Sequence, residues 1–530
     1  MTMLLGIDAG TTSLKVGLFD HSGAELATAV EQYTVLTPAP DRAELDPELY
    51  WSSLASGVAK TLRRAEVHSS QVTALAVSSQ GETLIPLAAA GHPLGPAIVW
   101  LDNRAVAEAR HLAEHFDRST VYAVTGVPTM VPSWPACKLL WWRRHDPGLF
   151  HSAAHFCLVE EFLLHRLTGR FVSEAGVQST SLLYDIVHRK RWQEMLDALN
   201  LPSSRLGELI NPGEVVGLIR PAAARDLGLS NGVVVVAGGM DQGAGAVGVG
   251  NVIPGLLSES TGGALTVQAT VDRPGGDPSG QTPIYVHSAA NVYLYCPVGP
   301  TGGMALTWFR DHFTCGALAV ADTGTEADRA YDLLTDLAAR VPPGADGLTM
   351  LPHLSGAFSP EYEPSARGVF FGFTLGHGQG HFARAIMEGV AFMLRRNLAM
   401  LGDLGITAPE LCSHGGGARS PLWNQIKADT CSMPVVTVRG TGAAVRGDAM
   451  LAGVATGTFA SLTEACEAAV RPDARFEPDA GSAAAYEAAY QRYIDLFEAV
   501  RALFNWPEAA TSKPPGQQPV GPWTAHARRI

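Results

Sequence analysis

Two apolar runs open the chain, Leu4–Ile7 and Leu14–Phe19, and a short polar turn separates them. Apolar runs of this length between turn residues are typical of strands, so the pattern predicts a β-hairpin whose tip is rich in glycine and hydroxyl groups. Further buried strands are predicted at Val72–Val77, at Ala97–Trp100 and at Gly232–Ala237, where a continuous β-branched run indicates burial on both faces.

Helical patterns lie between and after these strands. Apolar residues at helical spacing predict helices over residues 104–116, 134–144, 381–401 and 484–505. Strands that alternate with helices predict an α/β protein. From residue 506 the chain carries several prolines and little periodicity, so we expect the tail, 506–530, to be disordered.

A second hairpin is predicted over residues 256–268, with Thr261-Gly262-Gly263 at its tip. It repeats the plan of the first hairpin, in which a tip rich in threonine and glycine joins two strands. The repetition indicates an internal duplication with two halves that meet near residue 250.

Composition excludes several classes of protein. Of the 530 residues, 46% are hydrophobic and 17% are charged, which excludes wholesale disorder. The net charge of −13 means that the surface as a whole does not attract nucleic acid or an anionic membrane. The seven cysteines are spread singly, which indicates reduced thiols. We see no signal peptide and no apolar run near the ~20 residues of a membrane span, so we expect a cytoplasmic protein.

Two common nucleotide-binding patterns are absent or out of context. The chain contains no Gly-Lys pair, which excludes a P-loop. Gly243-x-Gly245-x-x-Gly248 matches the dinucleotide pattern, but other residues separate it from the predicted strand. The next strand begins near Leu256, which leaves no room for a βαβ unit of ~30 residues. An NAD-dependent oxidoreductase is therefore a weak alternative.

The tip of the first hairpin, Asp8-Ala-Gly10-Thr11-Thr12-Ser13, has the chemistry of a phosphate site. Its backbone N–H groups can cradle phosphate oxygens, and Lys15 adds a positive charge. Asp8 is suited to hold Mg²⁺ through water. The alternative is an ordinary turn made of glycine and Asx residues.

Asp241 follows a predicted buried strand and is flanked by glycines, which allow a substrate to approach the backbone closely. A carboxylate in this position could be the general base that takes a proton from an attacking hydroxyl. The alternative is an aspartate that caps a helix, and the two roles are compatible.

Polar residues also follow other predicted strands, where ligands bind in α/β sheets. The segments 79–83 and 100–104 offer Gln, Glu, Asp, Asn and Arg to a polyhydroxylated ligand, and Trp100 offers a flat apolar face. The glycines of Gly415–Gly417 precede a helix that Ser420 is expected to cap, which suits an adenine or a phosphate. Solvated loops and a flexible turn are the alternatives.

Taken together, these residues resemble the FGGY carbohydrate kinases of the actin/hexokinase/Hsp70-like ATPase superfamily, from about residue 4 to about residue 500. The motifs that carry the resemblance are Asp8-x-Gly10-Thr11-Thr12-Ser13, Ala97–Trp100, Pro135-x-x-Lys138-Leu-x-Trp141, Gly238-Gly-x-Asp241, Leu354-Ser-Gly356, Pro364–Gly372, His381–Gly389 and Gly415–Trp423.

The resemblance implies two RNase-H-like domains around a central cleft that binds ATP and a sugar. Residues 1–250 would bind the sugar and supply the base, and residues 251–505 would bind the nucleotide. Mg²⁺ would accompany ATP, and a homodimer is possible. The implied residues are Asp241 as catalytic base; Gln80, Glu82, Thr83, Trp100, Asp102, Asp241 and Gln242 at the substrate; Asp8, Gly10, Thr11, Thr12, Lys15, Thr261, Gly262, Gly263, Gly302, Gly303, Gly416, Gly417 and Asn424 at ATP; and Asp8 and Asp241 at the metal.

The resemblance also bears on the substrate. Xylulokinases typically carry Gly-Gln-Met-His where this chain has Ser79-Gln80-Gly81-Glu82. The sequence Gln80-Gly81-Glu82-Thr83 is similar to the Gln-Arg-Glu-Thr of glycerol kinase, without the arginine. We expect phosphorylation of a pentulose, with glycerol or another polyol as the alternative. A non-metabolic actin-like ATPase is a further alternative, which the polar pocket segments disfavour.

Departures from the family pattern lie near the expected adenine site. The segment Thr441-Gly-Ala-Ala stands where relatives usually carry glutamate before alanine, and Arg446 and Asp448 stand where small residues are usual.

Overall fold

The computed structural model describes residues 2–313, 325–440 and 442–504. Its strands, numbered along the chain, are β1 (Met3–Ala9), β2 (Ser13–Asp20), β3 (Glu25–Gln32), β4 (Glu44–Leu45), β5 (Val72–Ser79), β6 (Leu84–Leu87), β7 (Ala97–Ile98), β8 (His155–Leu158), β9 (Val172–Glu174), β10 (Tyr184–Asp185), β11 (Lys190–Arg191), β12 (Glu208–Ile210), β13 (Val215–Leu218), β14 (Val234–Met240), β15 (Leu257–Thr261), β16 (Leu265–Val271), β17 (Ile284–Val286), β18 (Tyr293–Tyr295), β19 (Val298–Gly299), β20 (Thr349–Leu351), β21 (Val369–Phe371), β22 (Leu411–His414), β23 (Val435–Val438) and β24 (Pro472–Phe476).

The helices surround and connect these strands. They are α1 (Glu48–Ala65), α2 (Val106–His115), α3 (Arg118–Thr125), α4 (Pro135–His145), α5 (Pro147–Ser152), α6 (Val159–Thr168), α7 (Ala175–Gln178), α8 (Gln193–Leu199), α9 (Pro221–Leu227), α10 (Asp241–Gly248), α11 (Met304–Phe313), α12 (Thr325–Ala339), α13 (Gln379–Asp403), α14 (Pro421–Cys431), α15 (Ala443–Ala455), α16 (Leu462–Ala469) and α17 (Ala483–Phe504).

The first large sheet has the strand order β13-β14-β5-β1-β2-β3. β1 pairs antiparallel with β2 and parallel with β5, and β5 pairs parallel with β14. Leu5 and Ile7 of β1 face a core shared with α1 and α6, whereas Leu4 faces a core shared with α15. Burial on both faces explains why this strand is apolar throughout rather than alternating.

The second large sheet repeats this plan, in the order β17-β18-β16-β15-β22-β23-β24. Its hairpin, β15 and β16, pairs parallel through β15 with β22, and β22 pairs parallel with β23. The antiparallel hairpin with two parallel strands beyond its first strand therefore occurs in both sheets, which agrees with the predicted internal duplication.

Helices α10 and α15 join the two halves through glycines. A Cβ on Gly447 would lie 1.9 Å from the carbonyl oxygen of Ala244, and a Cβ on Gly248 would lie 1.8 Å from that of Ala443. A Cβ on Gly6 would likewise lie 1.7 Å from the Val445 carbonyl oxygen. The backbones of α10, α15 and β1 are thus in direct contact, which only glycine permits.

Most of the predicted elements are confirmed, with local corrections. Both hairpins, the strand at residue 72 and the predicted helices are present. The strand at Ala97 is wrong in its extent, because only Ala97 and Ile98 pair and Trp100 lies in the turn beyond. The glycine-rich tract after Met240 forms α10.

The predicted domain boundaries, 1–250 and 251–505, stay a prediction. α15, which lies within the second range, packs against the first sheet. The predicted tail, 506–530, lies outside the described residues, as does Thr441.

Candidate active site

The tip of the first hairpin is a short turn held by its own backbone. The N–H of Gly10 donates to the carbonyl of Ser13 at 3.0 Å. Asp8 and Lys15 face each other across the β1–β2 ladder, and Lys15 Nζ lies 3.4 Å from Asp8 Oδ2. The Asp8 charge raises the pKa of Lys15. The other oxygen, Asp8 Oδ1, is buried and has no hydrogen-bond partner among the described residues. Thr12 is exposed at the tip.

Thr11 connects the tip to the predicted sugar pocket. Its hydroxyl donates to Gln80 Oε1 at 2.8 Å and accepts from the indole Nε1 of Trp100, also at 2.8 Å. Gln80 in turn donates from Nε2 to the Tyr50 hydroxyl at 2.8 Å. Thr11 therefore holds two predicted substrate residues in place.

Glu82 lies beside this network in a strained left-handed conformation, with φ of 57°. Its N–H donates to Thr180 Oγ1 at 3.2 Å. Burial raises the pKa of the Glu82 carboxyl to about 8, and the nearby Asp241 charge adds to the shift. A Cβ at Gly81 would lie only 2.7 Å from Thr180 Oγ1. Thr180 thus occupies the space next to position 81.

Lys138 holds the backbone next to Glu82 in place. Its side chain is fully buried in α4, and Nζ donates to the carbonyls of Glu82, Ile98 and Val99 at 2.8, 3.2 and 3.1 Å. Burial lowers the pKa of Lys138. With three carbonyl acceptors, the Lys138 side chain fixes the backbone at Glu82 and at the two residues that precede Trp100.

Two predicted substrate residues are engaged within the protein. Asp102 is buried; it accepts from the N–H of Ala43 at 2.7 Å and pairs with Arg104 at 2.8 Å. Thr83 is also buried, and its hydroxyl accepts from the N–H of Trp100 at 3.2 Å. Through these hydrogen bonds, Asp102 and Thr83 stabilise the turn that carries Trp100.

Asp241 is half-buried at the first position of α10, and its Oδ1 accepts from the N–H of Gln242 at 2.7 Å. Burial and the Asp8 charge raise the pKa of Asp241 to about 7. Asp241 is close enough to Asp8, Lys15 and Glu82 for their charges to interact. Gln242 reaches toward the second sheet, where its Oε1 accepts from Thr266 at 2.7 Å.

The predicted ATP residues of the second half form a separate cluster. The N–H groups of Gly302 and Gly303 donate to the carbonyls of Gly263 and Gly262 at 2.7 and 2.8 Å. A Cβ on Gly417 would lie 2.6 Å from Thr261 Cγ2, so Gly416 and Gly417 lie against the same tip. The loops at residues 302–303 and 416–417 thus meet the hairpin tip that follows β15.

The predicted cap of α14 is confirmed, because the Ser420 side chain accepts from the N–H of Trp423 at 3.3 Å. Asn424 is buried in the first turn of this helix and donates to the carbonyl of Ala418 at 2.7 Å. This hydrogen bond stabilises the glycine-rich loop that precedes α14.

Several residues of the site were not predicted from the sequence. Tyr50 and Thr180 reach it from distant segments, and their neighbours along the chain give no signal. Lys427 and Glu259 form a fully buried ion pair at 2.6 Å beneath the second tip, and Thr261 donates to Glu259 at 2.7 Å. A signal existed for Lys138, a single charge in the apolar stretch of α4.

Comparison with known proteins identifies the scaffold. The model of the N-terminal domain of the FGGY family of carbohydrate kinases matches residues 3–248, and the model of its C-terminal domain matches residues 292–456. Xylulose kinase of Escherichia coli is 32% identical over 502 residues, which are 94% of this chain and 99% of that protein. The chain belongs to the FGGY family of carbohydrate kinases. This kinase therefore takes a sugar and ATP as substrates.

Solved structures agree with this assignment. Xylulose kinase from Lactobacillus acidophilus superposes with a TM-score of 0.84 at 26% identity, over 95% of this chain and 99% of that one. Gluconate kinase from the same organism gives a TM-score of 0.84 at 25% identity, with the same coverage. In the described part of the kinase, no helix has both the length and the apolar character needed to cross a membrane.

Proposed function

We propose that this kinase transfers the γ-phosphate of ATP to a hydroxyl of an uncharged ketopentose such as xylulose, with Asp241 as general base. The observation that carries the proposal is the environment of Asp241. Its charge interacts with that of Asp8, in the predicted phosphate tip, and with that of Glu82, in the predicted sugar pocket. A base whose pKa is near 7 is well matched to proton transfer at neutral pH.

The chemistry follows from this placement. Asp241 takes the proton of the sugar hydroxyl, and that oxygen forms a bond with the γ-phosphorus while the bond from phosphorus to the β,γ-bridging oxygen breaks. ADP leaves with the electron pair of that bond. The Thr11 network and Lys138 orient the sugar pocket before reaction, and orientation supplies much of the catalysis in phosphoryl transfer.

The residues present fit Mg²⁺. Asp8 Oδ1 is a buried carboxylate oxygen without a hydrogen-bond partner in the described chain. No cluster of three or more His, Cys, Asp or Glu in that part of the chain could hold a metal. Mg²⁺ usually needs only one or two carboxylates beside the substrate phosphates. Asp8 and Asp241 would hold the ion, which supplies positive charge that neutralises the phosphates.

The charge of the pocket supports an uncharged sugar over an aldonate. The ionised form of Asp241 would repel a substrate carboxylate, burial keeps Glu82 largely uncharged at neutral pH, and the nearby cations are engaged. Lys138 donates to three carbonyls, and Lys15 pairs with Asp8. The space that Thr180 fills beside Gly81 also disfavours the glycerol kinase arrangement, which places an arginine there. The names of the relatives then favour xylulose among uncharged sugars.

Asp241→Asn tests the base. We expect kcat to fall by about 10³-fold, as for loss of a general base, while binding of ATP without Mg²⁺, measured by calorimetry, stays unchanged. Asp117→Asn, at the exposed N-cap of α3, is the control and should keep full activity. Wild-type turnover by Asp241→Asn would remove the proposed role.

A substrate panel tests the sugar. ADP release should respond to a ketopentose and stay near background with gluconate, with glycerol and without sugar. Preferred use of gluconate would contradict the charge argument. High turnover without sugar would contradict an acceptor hydroxyl altogether.

A further inference from the structure

The strand that delivers Asp241 loses its regular pairing just before it. The register between β14 and β5 shifts between Ala237 and Gly239, and Gly239 has a φ of +107°, which only glycine adopts readily. Buried N–H groups outside a regular ladder need another acceptor. Here the N–H groups of Gly238 and Gly239 both donate to one atom, Glu160 Oε1, at 3.1 and 3.0 Å.

Glu160 also contacts the strand that leads to the sugar pocket. It is fully buried in the first turn of α6, and its own N–H donates to Ser79 Oγ at 3.0 Å. Ser79 ends β5 and directly precedes Gln80. One residue of α6 therefore ties together the two strand ends that carry the base and the pocket.

A purely structural role in α6 does not account for this carboxyl. The adjacent Glu161 already serves the helix terminus, because its Oε2 accepts from the N–H of Leu158 at 2.8 Å. The carboxyl contacts of Glu160 run instead to β14. Burying a carboxyl costs free energy, which these two backbone contacts offset only in part.

We propose that Glu160 is a positioning residue for phosphoryl transfer: it fixes the Gly238–Gly239 backbone and thereby aims the Asp241 carboxylate at the sugar hydroxyl. The inference rests on the proposed role of Asp241 as base. A misplacement of about 1 Å in a reacting group is enough to cost about 10²-fold in rate.

Glutamine matches the protonated form of Glu160 in shape and charge. Burial, and to a lesser extent the nearby Glu174 carboxyl, raise the pKa of Glu160 well above its ordinary range. The required feature is then the acceptor Oε1, which Glu160→Gln retains. Glu160→Asp shortens the side chain and withdraws the acceptor, and Glu160→Leu removes it.

The test is steady-state kinetics of these variants with the preferred sugar. Glu160→Leu and Glu160→Asp should lower kcat by about 10²-fold, with KM for sugar and for ATP within about twofold of wild type. Glu160→Gln should restore kcat to within about fivefold. If Glu160→Leu does not fold, the comparison of Glu160→Asp with Glu160→Gln still tests the proposal.

Glu161→Leu is the matched control, because it removes a neighbouring buried carboxyl that makes no contact with Gly238 or Gly239 in the described chain. It should lower thermal stability without lowering kcat of the folded fraction. Wild-type kcat in Glu160→Asp, or a loss in Glu160→Gln as large as in Glu160→Asp, overturns the positioning role.

Failure of the base and failure of the positioning role give different results. An active Asp241→Asn overturns both. An inactive Asp241→Asn beside a fully active Glu160→Asp overturns the positioning role alone.

Discussion

At the scale of single residues, Thr11 shows how a side chain can have the predicted location and a different set of contacts. Its residue type suggested a phosphate ligand, yet its hydroxyl joins Gln80 to Trp100. The hydroxyl has one proton, which it donates to Gln80. Thr11 therefore belongs to the hydrogen-bond network of the predicted sugar pocket.

Thr11→Val tests this assignment with a side chain of the same shape. It leaves Gln80 Oε1 and Trp100 Nε1 without their partner, and such a loss costs about 1–3 kcal/mol. We expect KM for the sugar to rise about tenfold and KM for ATP to change less than twofold, measured by coupled assay. Thr11→Ser, which keeps the hydroxyl, is the control. A rise confined to KM for ATP would contradict this assignment and support the predicted phosphate role.

Site residues with a distinctive local sequence could be predicted, but their hydrogen-bond partners could not. Asp241 was recognisable because glycines precede it at the end of an apolar strand. Glu160 was not, because its contact with Gly238 joins residues far apart in the chain. Hydrogen-bond partners of this kind depend on how the elements pack, which no local pattern encodes.

At the scale of elements, the same division between local and distant contacts appears. Each hairpin could be predicted because its strands and tip lie within about twenty residues of each other. The parallel pairings of β5 with β14 and of β15 with β22 join segments more than 150 residues apart. The packing of α15 on β1 is equally remote, and only the glycines of both elements hint at it.

Gly447→Ala tests the contact between α10 and α15. The new methyl group would lie 1.9 Å from the Ala244 carbonyl oxygen, which is backbone and cannot rotate away. Overpacking of this kind costs about 1–3 kcal/mol, so the urea midpoint of unfolding should fall. Gly402→Ala in α13 is the control, because no described atom beyond its chain neighbours and the nearby backbone of its own helix lies within 4 Å of its Cβ position. It should leave the midpoint unchanged or raise it, since alanine favours helix. Equal midpoints for the two variants would contradict direct backbone contact.

At the scale of the whole molecule, buried titratable groups determine how stability depends on pH. Burial lowers the pKa of a set of histidines to about 4: His165, His287, His353 and His414. Their contribution to stability is therefore complete above the ordinary histidine pKa of about 6.5. Burial acts in the opposite direction on carboxyls. It raises the pKa of Glu174 and Glu388 to about 7, and that of Asp448 well above its ordinary range.

A carboxyl whose pKa is raised by folding stabilises the protein below its unfolded pKa, and this stabilisation is lost as pH rises toward the folded pKa. Below about pH 6.5 the histidines oppose this loss. Above it the carboxyls with raised pKa values outnumber Lys138, whose lowered pKa acts in the opposite direction, so the free energy of unfolding should fall from pH 6.5 to pH 8.5. Asp448, buried in α15 and hydrogen-bonded to Ser78, should contribute to that fall, because burial raises its pKa well above the ordinary range. Asp448→Asn is neutral at every pH, so its urea unfolding curves at pH 6.5, 7.5 and 8.5 should show a shallower decline than wild type. The exposed Asp117→Asn should keep the wild-type slope. An Asp448→Asn slope equal to that of wild type would mean that Asp448 is ionised in the folded protein.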